Sequence, residues 1–390
     1  MKNLILGYPR GQNKWQGLSE ALSKLGQLSD IVVDNFDQIK GPYDKIWTMA
    51  ESLLPLQAKL EQKFNLNNIS LQAAEILSDK KKMDDFCTNI GIQDIIPYSV
   101  IPKCLDDLNR FRYKPFIIKP TIGSGTKQDY KNKIHYMAWN NLKDFTEDVY
   151  SELVFQVNRS GFIDEQFGNR LNYYMAQEYL PHTKLYAPYV YVNEHQQIIP
   201  IIWVEGDIQT NVIDQYRFES KPIGFMAIDN DQVPSDVLKH FTYYYQAIVD
   251  ELEIKNMFFA GPDFYVGSNI KIIDCNPRIG QGLQILNELN NYNVLSSLID
   301  NKKFTIENKF YWTLAKLKPG IIKRVKDMSH LQSYITSSNL KPGMEINWSF
   351  IVQSSVAKVG LKISGKTKSD MLETYRIVCA QIQECIEYKD

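Results

Sequence analysis

The chain has 390 residues, 44% of them hydrophobic and 23% charged, with a formal net charge of −1. That balance belongs to a soluble globular protein of two or three domains, or one multi-lobed enzyme. It excludes nucleic-acid binding driven by basic charge and leaves no charge run that would form a tail. The cysteines Cys87, Cys104, Cys275, Cys379 and Cys385 are scattered without CxxC, so neither a zinc site nor a disulfide framework is expected. A reducing, cytoplasmic setting fits best. The histidines form no HExxH pair. No apolar run approaches the ~20 residues of a membrane span, and the apolar start at Leu4 is too short for a signal peptide.

From residue 1 to about 68 the pattern alternates strand and helix. Asn3–Gly7, Asp30–Val33 and Lys45–Met49 read as strands, and Gly17–Leu25 as a helix. The alternation predicts a small parallel α/β sheet. Gly7-Tyr8-Pro9-Arg10-Gly11 is not GxGxxG, so no dinucleotide fingerprint supports it. Arg10 and Lys14 are candidates to hold an anionic substrate, set against the plainer reading of solvated loop cations. Two helices are expected next. Ser70 caps the first, Asp79 opens the second, and Gly91 ends it. Lys80-Lys81-Lys82 is followed at once by Asp84-Asp85, which reads as a helix face rather than a binding patch.

Residues 115–140 read as strand, glycine-rich turn, strand. An apolar strand delivers Lys119, and Gly123-Ser124-Gly125 follows. Backbone N–H groups of such a loop can close over phosphates, because glycine permits a close approach. It is not a Walker A motif, since GxxxxGK[ST] is absent. A plain hairpin is the alternative. Residues 151–172 are polar and irregular. Strand signals resume at Tyr173–Tyr179, Tyr189–Val192 and Ile198–Val204, and residues 234–253 read as a helix.

The most informative stretch is Met257 to Gly282. An apolar strand carries Asp263, a turn follows at Gly267-Ser268-Asn269, and a second strand runs into Asp274-Cys275-Asn276-Pro277-Arg278. Extended backbone places Asp274 and Asn276 on one face, about 6.6 Å apart, with Cys275 on the other. A two-residue loop at Ser268-Asn269 would set Asp263 directly opposite Asp274; a three-residue loop would not. Opposed carboxylates destabilise a hairpin unless a cation lies between them. Two carboxylates and an amide oxygen suit Mg²⁺. Arg278 is shaped to grip phosphate or carboxylate. An ordinary hairpin with solvated acids at its rim is the alternative. A helix is expected from about 282 to 300. Beyond Gly320, strands at Ile321–Val325, Asn347–Val352 and Ala357–Ile363 precede a closing helix, Lys368–Ile386. Its stripe of Leu372, Tyr375, Cys379, Ile382 and Ile386 reads as core packing.

The order of these motifs resembles the ATP-grasp superfamily, of carboxylate–amine ligase type, over roughly residues 1–365. The motifs are a lysine and glycine loop at 115–127, Glu178-Tyr179-Leu180-Pro181, and Asp263…Asp274-x-Asn276-Pro-Arg278. The resemblance implies an α/β architecture with α+β elements in four parts. These are a Rossmann-like domain at 1–91, a lid at 92–176, a metal and phosphate lobe at 177–319 and a small C-terminal part at 320–390. It implies ATP with Mg²⁺, or Mn²⁺ in its place. Lys80 and Lys119 resemble the phosphate-binding lysines, and Gly123, Ser124 and Gly125 the loop over the phosphates. Glu178, Tyr179 and Leu180 resemble the adenine hinge. Asp263, Asp274 and Asn276 resemble the metal ligands. Arg278 resembles the arginine that stabilises the transferring phosphoryl group. At the hinge, His182-Thr183-Lys184 replaces the usual Gly-x-Glu, which removes the usual ribose contact.

The implied reaction activates a small-molecule carboxylate, an amino acid among the candidates, as an acyl phosphate that an amine then attacks. A kinase that stops at the phosphorylated product and a non-catalytic nucleotide sensor are the alternatives. Arg10, Arg217, Lys221 and Gln281 are candidates to hold a substrate carboxylate. No nucleic acid or membrane partner is implied, and a homodimer is compatible with the family.

Overall fold

The computed structural model describes residues 2–7, 27–30, 39–122, 138–139, 143, 147–148, 163–164, 170–171, 174–180, 182–212, 217–222, 224–261, 263–267, 269–291, 293–346 and 357–389. The expected helix at Gly17–Leu25 and strand at Asn347–Val352 lie outside these residues.

Strands β1 (Asn3–Gly7), β2 (Gln27–Asp30) and β3 (Lys45–Thr48) form a parallel sheet in the order β2-β1-β3. The alternating pattern at the start of the chain predicts a parallel sheet, but β2 lies at Gln27–Asp30 rather than Asp30–Val33, and residues 31–33 lie outside the described residues. Leu4 and Leu6 pack with Ile46, Leu53 and Leu60 on one side, while Ile5 and Trp47 face the large lobe. Helices α1 (Leu54–Lys63), α2 (Leu71–Leu77) and α3 (Lys80–Asn89) follow. Ser70 Oγ accepts the N–H of Ala73, and Asp79 accepts those of Lys81 and Lys82. Both caps stand where the sequence places them. Gly91 takes φ +81° just past α3, a conformation that glycine adopts without strain.

A second, largely antiparallel sheet holds most of the remaining strands. These are β4 (Ser99–Val100), β5 (Phe116–Pro120), β6 (Ala138–Trp139), β9 (Tyr174–Glu178), β10 (His182–Val192), β11 (Ile198–Val212), β12 (Arg217–Pro222) and β13 (Gly224–Ile228), with β7 (Ile163–Asp164) and β8 (Arg170–Leu171) forming a separate ladder. After helix α4 (Ser235–Leu252) come β14 (Met257–Ala260), β15 (Phe264–Gly267) and β16 (Ile270–Ile272). Strand β11 is much longer than the stretch ending at Val204 that the apolar run suggests. Its Trp203–Glu205 segment pairs with β13, and its Ile208–Val212 segment pairs with β12. Through β12 and β6 it connects to β5, β9 and β4 in one continuous sheet. The polar residues of its far half hide this continuation from a hydrophobicity reading.

The helix expected at 282–300 is two helices, α5 (Gln281–Leu289) and α6 (Asn293–Ile299), broken at Asn291, where φ is +56°. Strands β17 (Lys309–Leu314), β18 (Gly320–Val325), β19 (Ile335–Ser338), β20 (Glu345–Ile346) and β21 (Val359–Gly365), then helix α7 (Lys368–Glu384) and strand β22 (Ile386–Tyr388), complete the chain. Cys379 and Ile382 of α7 are buried, and Leu372 and Tyr375 pack against the same core, so the stripe is core as expected. Ile386 belongs to β22 rather than the helix.

Candidate active site

The acids sit at a break in a strand. Both β14 and β15 pair with β10, but the ladder stops between Ala260 and Phe264. Gly261 turns there with φ +130°, its N–H donating to the Pro188 carbonyl at 2.9 Å. The Tyr245 hydroxyl donates to the Gly261 carbonyl. A Cβ on Gly261 would lie 3.3 Å from Asn276 Nδ2 and 3.5 Å from the Asp274 carbonyl. The left-handed φ and the close backbone approach both call for glycine.

The β15–β16 hairpin takes the three-residue alternative, with Val266 opposite Ile270. Asp263 therefore does not face Asp274 in simple register. Its N–H donates to the Asp274 carbonyl at 3.0 Å, while the Ile273 N–H donates to the Asp263 carbonyl at 3.2 Å. Two residues on one side thus share one on the other, the pattern of a bulge. The expected strand through Asn276 also ends early, at Ile272. Residues 273–280 instead form a loop tied down by its backbone. The Asn276 carbonyl accepts from Ala260 and Arg278, both at 2.8 Å, and the Ile279 N–H donates to Thr48 at the end of β3. Cys275 lines a cavity with Tyr244, Lys80, Asp84 and Glu51.

Five ionisable groups converge. Lys119 Nζ donates to Asp274 Oδ1 at 3.1 Å and to the Ile273 carbonyl at 3.3 Å, with its side chain almost wholly buried. Arg278 Nε donates to Glu51 Oε1 at 2.9 Å, and its Nη2 reaches Asn276 Oδ1 at 3.4 Å. Burial pushes Asp263 up to about 7, and the negative charge of Asp274 adds to this against the pull of Arg278 and Lys119. Burial also opposes ionisation of Asp274, but Lys119, Lys80 and Arg278 outweigh it and hold that carboxyl below its ordinary value.

The opposite side of the site is built by α3 and β5. The Lys80 N–H donates to the Thr121 carbonyl at 2.7 Å, and Thr121 Oγ1 donates to Asp79 at 3.4 Å. The start of α3 is thereby held against the end of the Lys119 strand. At the hinge, Glu178 donates its N–H to Tyr98 and pairs with Lys114 at 3.2 Å, while the Tyr179 N–H donates to Pro115. Leu180 ends the hinge before β10 begins. Tyr265 lies on β15, two residues beyond Asp263, and its hydroxyl is held protonated by burial and by the negative charges of Asp263 and Asp274. Gly123, Ser124 and Gly125 lie outside the described residues, as do Arg10 and Lys14. Arg217 and Lys221 lie on β12 and Gln281 opens α5; their side chains are outside the description.

The donor set Asp263, Asp274 and Asn276 fits a hard divalent cation. All three are oxygen donors, and a cation would offset both the burial that raises Asp263 and the repulsion from Asp274 that adds to it. Among the described residues no three His, Cys, Asp or Glu side chains form a metal group. Three site residues escape the sequence reading. Glu51 stands just after a parallel strand, at the edge where such sheets bind ligands, and that position is a readable signal. Asp84 hides in what reads as a solvated charge run. Tyr189 is half-buried against Gly280 and Gly282, its hydroxyl accepting the Gly282 N–H at 3.2 Å, and only the tertiary contact reveals it.

No family model matches the sequence, and no curated protein matches it. Solved structures do match over the full length. An L-amino acid ligase from Bacillus licheniformis aligns with a TM-score of 0.66 at 13% identity, covering 100% of this chain and 99% of that one. A phosphoribosylglycinamide synthetase from Anaerococcus prevotii aligns at 0.54 and 16% identity, covering 100% and 99%. An N5-carboxyaminoimidazole synthetase from Staphylococcus aureus, complexed with ADP, aligns at 0.57 and 11% identity, covering 97% and 98%. These are ATP-grasp ligases, and this chain has the ATP-grasp fold. Among the described residues no helix is long and apolar enough to cross a membrane.

Proposed function

We propose that the protein is an ATP-dependent carboxylate–amine ligase acting on small molecules. The observation that carries the reading is the cluster of Lys119, Asp263, Asp274, Asn276 and Arg278, built from separate elements onto one face. The full-length likeness to carbon–nitrogen ligases supports it.

In this reading Lys80 and Lys119 bind the phosphates of ATP, and Glu178, Tyr179 and Leu180 receive the adenine. Gly123, Ser124 and Gly125 close over the phosphates. Asp263, Asp274 and Asn276 would hold Mg²⁺, which supplies charge neutralisation for the transferring phosphoryl group. Arg278 offsets the charge that develops as the substrate carboxylate takes that group. Glu51 fixes the guanidinium by accepting from Nε, which leaves the opposite edge for an anion. The amine then attacks the acyl phosphate carbon and inorganic phosphate leaves. No protein nucleophile is required. Lid closure excludes water that would otherwise hydrolyse the acyl phosphate. The chain divides at 1–91, 92–176, 177–319 and 320–390 in this scheme, and the enzyme works in the cytoplasm.

The test measures ADP and phosphate release from ATP and Mg²⁺ over pools of amino acids and small carboxylates, beside Asp274→Ala. Release that needs both a carboxylate and an amine, and is lost in the variant, is expected. Release with a single acceptor would make the protein a kinase. Nucleotide binding without release in any pool would favour a sensor.

A further inference from the structure

Lys119 and the cation expected at the acids compete for one oxygen. The lysine spends its ammonium on Asp274 Oδ1 and the Ile273 carbonyl. A cation taken up by Asp274 must draw that carboxylate away from it. A buried lysine left without a counter-charge is costly.

A second carboxylate stands behind it. Asp84 lies four residues after Lys80 on α3, so both occupy one helix face. It is buried and lines the same cavity as Lys80, Glu51 and Ile273. Two donors reach it from the lid sheet, Ser99 Oγ at 2.5 Å and Gln177 Nε2 at 3.3 Å, and both bonds fall on Oδ2. Oδ1 accepts no hydrogen bond from the described residues. Gln177 registers with Ile117 across β9 and β5, so Lys119, two residues on, shares its face. Asp84 therefore sits beside the lysine on the face that carries it. Burial pushes Asp84 up to about 6, and the charge of Lys119 is the main force opposing that shift.

We propose that Asp84 is a positioning residue that takes over as counter-charge to Lys119 when Asp274 turns to the cation. It covers the step in which Asp274 has turned to the cation, and the ATP phosphates add their charge once they meet the same lysine. The proposal rests on the reading of this site as one that binds ATP with a divalent cation.

The test measures ATP binding by calorimetry across a series of Mg²⁺ concentrations, on the full chain. Asp84→Asn keeps the shape and both neighbours but removes the charge. It is expected to need about tenfold more Mg²⁺ for half-maximal ATP binding, the scale of one charge-assisted hydrogen bond. At saturating Mg²⁺ its ATP affinity is expected to stay within about twofold of the parent, because the lysine still meets the phosphates. In a Lys119→Met background the same substitution is expected to leave the Mg²⁺ requirement unmoved, since no ammonium needs a partner. Ser99→Ala, which removes a neighbour but keeps the charge, is expected to behave as the parent. An unchanged Mg²⁺ requirement in Asp84→Asn overturns the proposal. An equal shift in the Lys119→Met background, or in Ser99→Ala, also overturns it and leaves Asp84 a packing residue. If Asp84→Asn does not fold, Asp84→Glu keeps the charge and is expected to retain the parent requirement; a tenfold rise there overturns the proposal. A parent protein whose ATP binding is indifferent to Mg²⁺ removes the cation reading itself, whatever the variants do.

Discussion

Glu51 shows how one side chain can decide what another is for. Arg278 carries a planar set of donors, and the Glu51 contact at 2.9 Å engages Nε while Asn276 approaches Nη2. With the guanidinium held on one edge, its orientation is set before any ligand arrives. Glu51→Gln keeps the shape and removes the charge. It is expected to lower kcat by about tenfold or more, the worth of a charge-assisted hydrogen bond, with KM for ATP little changed. Steady-state ADP release checks this, and parent-like turnover would show that Arg278 needs no such partner. Arg278 itself is legible from its place after Asp-x-Asn-Pro. Its partner is not, because Glu51 and Arg278 are far apart in the chain and nothing local links them.

At the scale of elements, caps and turns are set by short-range chemistry. Ser70 and Asp79 cap their helices because each carries a side-chain oxygen two or three bonds from Cα, short enough to reach back to a first-turn N–H. The connection between α1 and α2 depends on a buried acid instead. Glu61 accepts from Gln57 at 2.9 Å, from the Asn68 N–H at 3.0 Å and from the Ile69 N–H at 3.1 Å. Burial nonetheless pushes it up to about 7. The folded state therefore keeps its proton over a range where the unfolded chain, near 4.5, has lost it. Stability is expected to fall as pH rises from about 4.5 to about 7 and then to level. Glu61→Gln is expected to lack this contribution. The difference in unfolding free energy between parent and variant should change on the order of 2–3 kcal/mol between pH 5 and pH 8. Urea denaturation at both values measures it; a difference independent of pH would mean that Glu61 is ionised throughout. The hairpin after Asp263 is the element that local chemistry leaves open. Gly267-Ser268-Asn269 accommodates either loop length, and the three-residue form appears with a bulge between Asp263 and Asp274.

At the scale of the whole molecule, the small parallel sheet docks on the large lobe through polar bonds as well as apolar contact. Trp47 packs edge-on against Phe258 at 5.5 Å, and its Nε1 donates to the Asn256 carbonyl at 2.9 Å. Asn256 also receives the Tyr191 hydroxyl at 3.0 Å and donates to Asn68 at 2.9 Å. Asn256→Ala is expected to destabilise the protein by about 2–3 kcal/mol, since buried partners lose their bonds and alanine fits poorly at its φ of +49°. Chemical denaturation checks this, and a change below about 0.5 kcal/mol, the range of an ordinary surface substitution, would show that the docking does not depend on it. This docking also brings Thr48 and Glu51 to the Arg278 loop. The amino-acid sequence by itself determined the chemical inventory: a lysine on a lid strand, an acid pair with an amide, an arginine, and the helices that frame them. It did so because motif spacing, capping and periodicity are local properties. Only the tertiary structure decided the hairpin register, the passage of β11 into the lid, and the pairing of Arg278 with Glu51 and of Asp84 with Ser99 and Gln177. Those depend on long-range packing, where burial sets both which charges meet and how firmly each holds its proton.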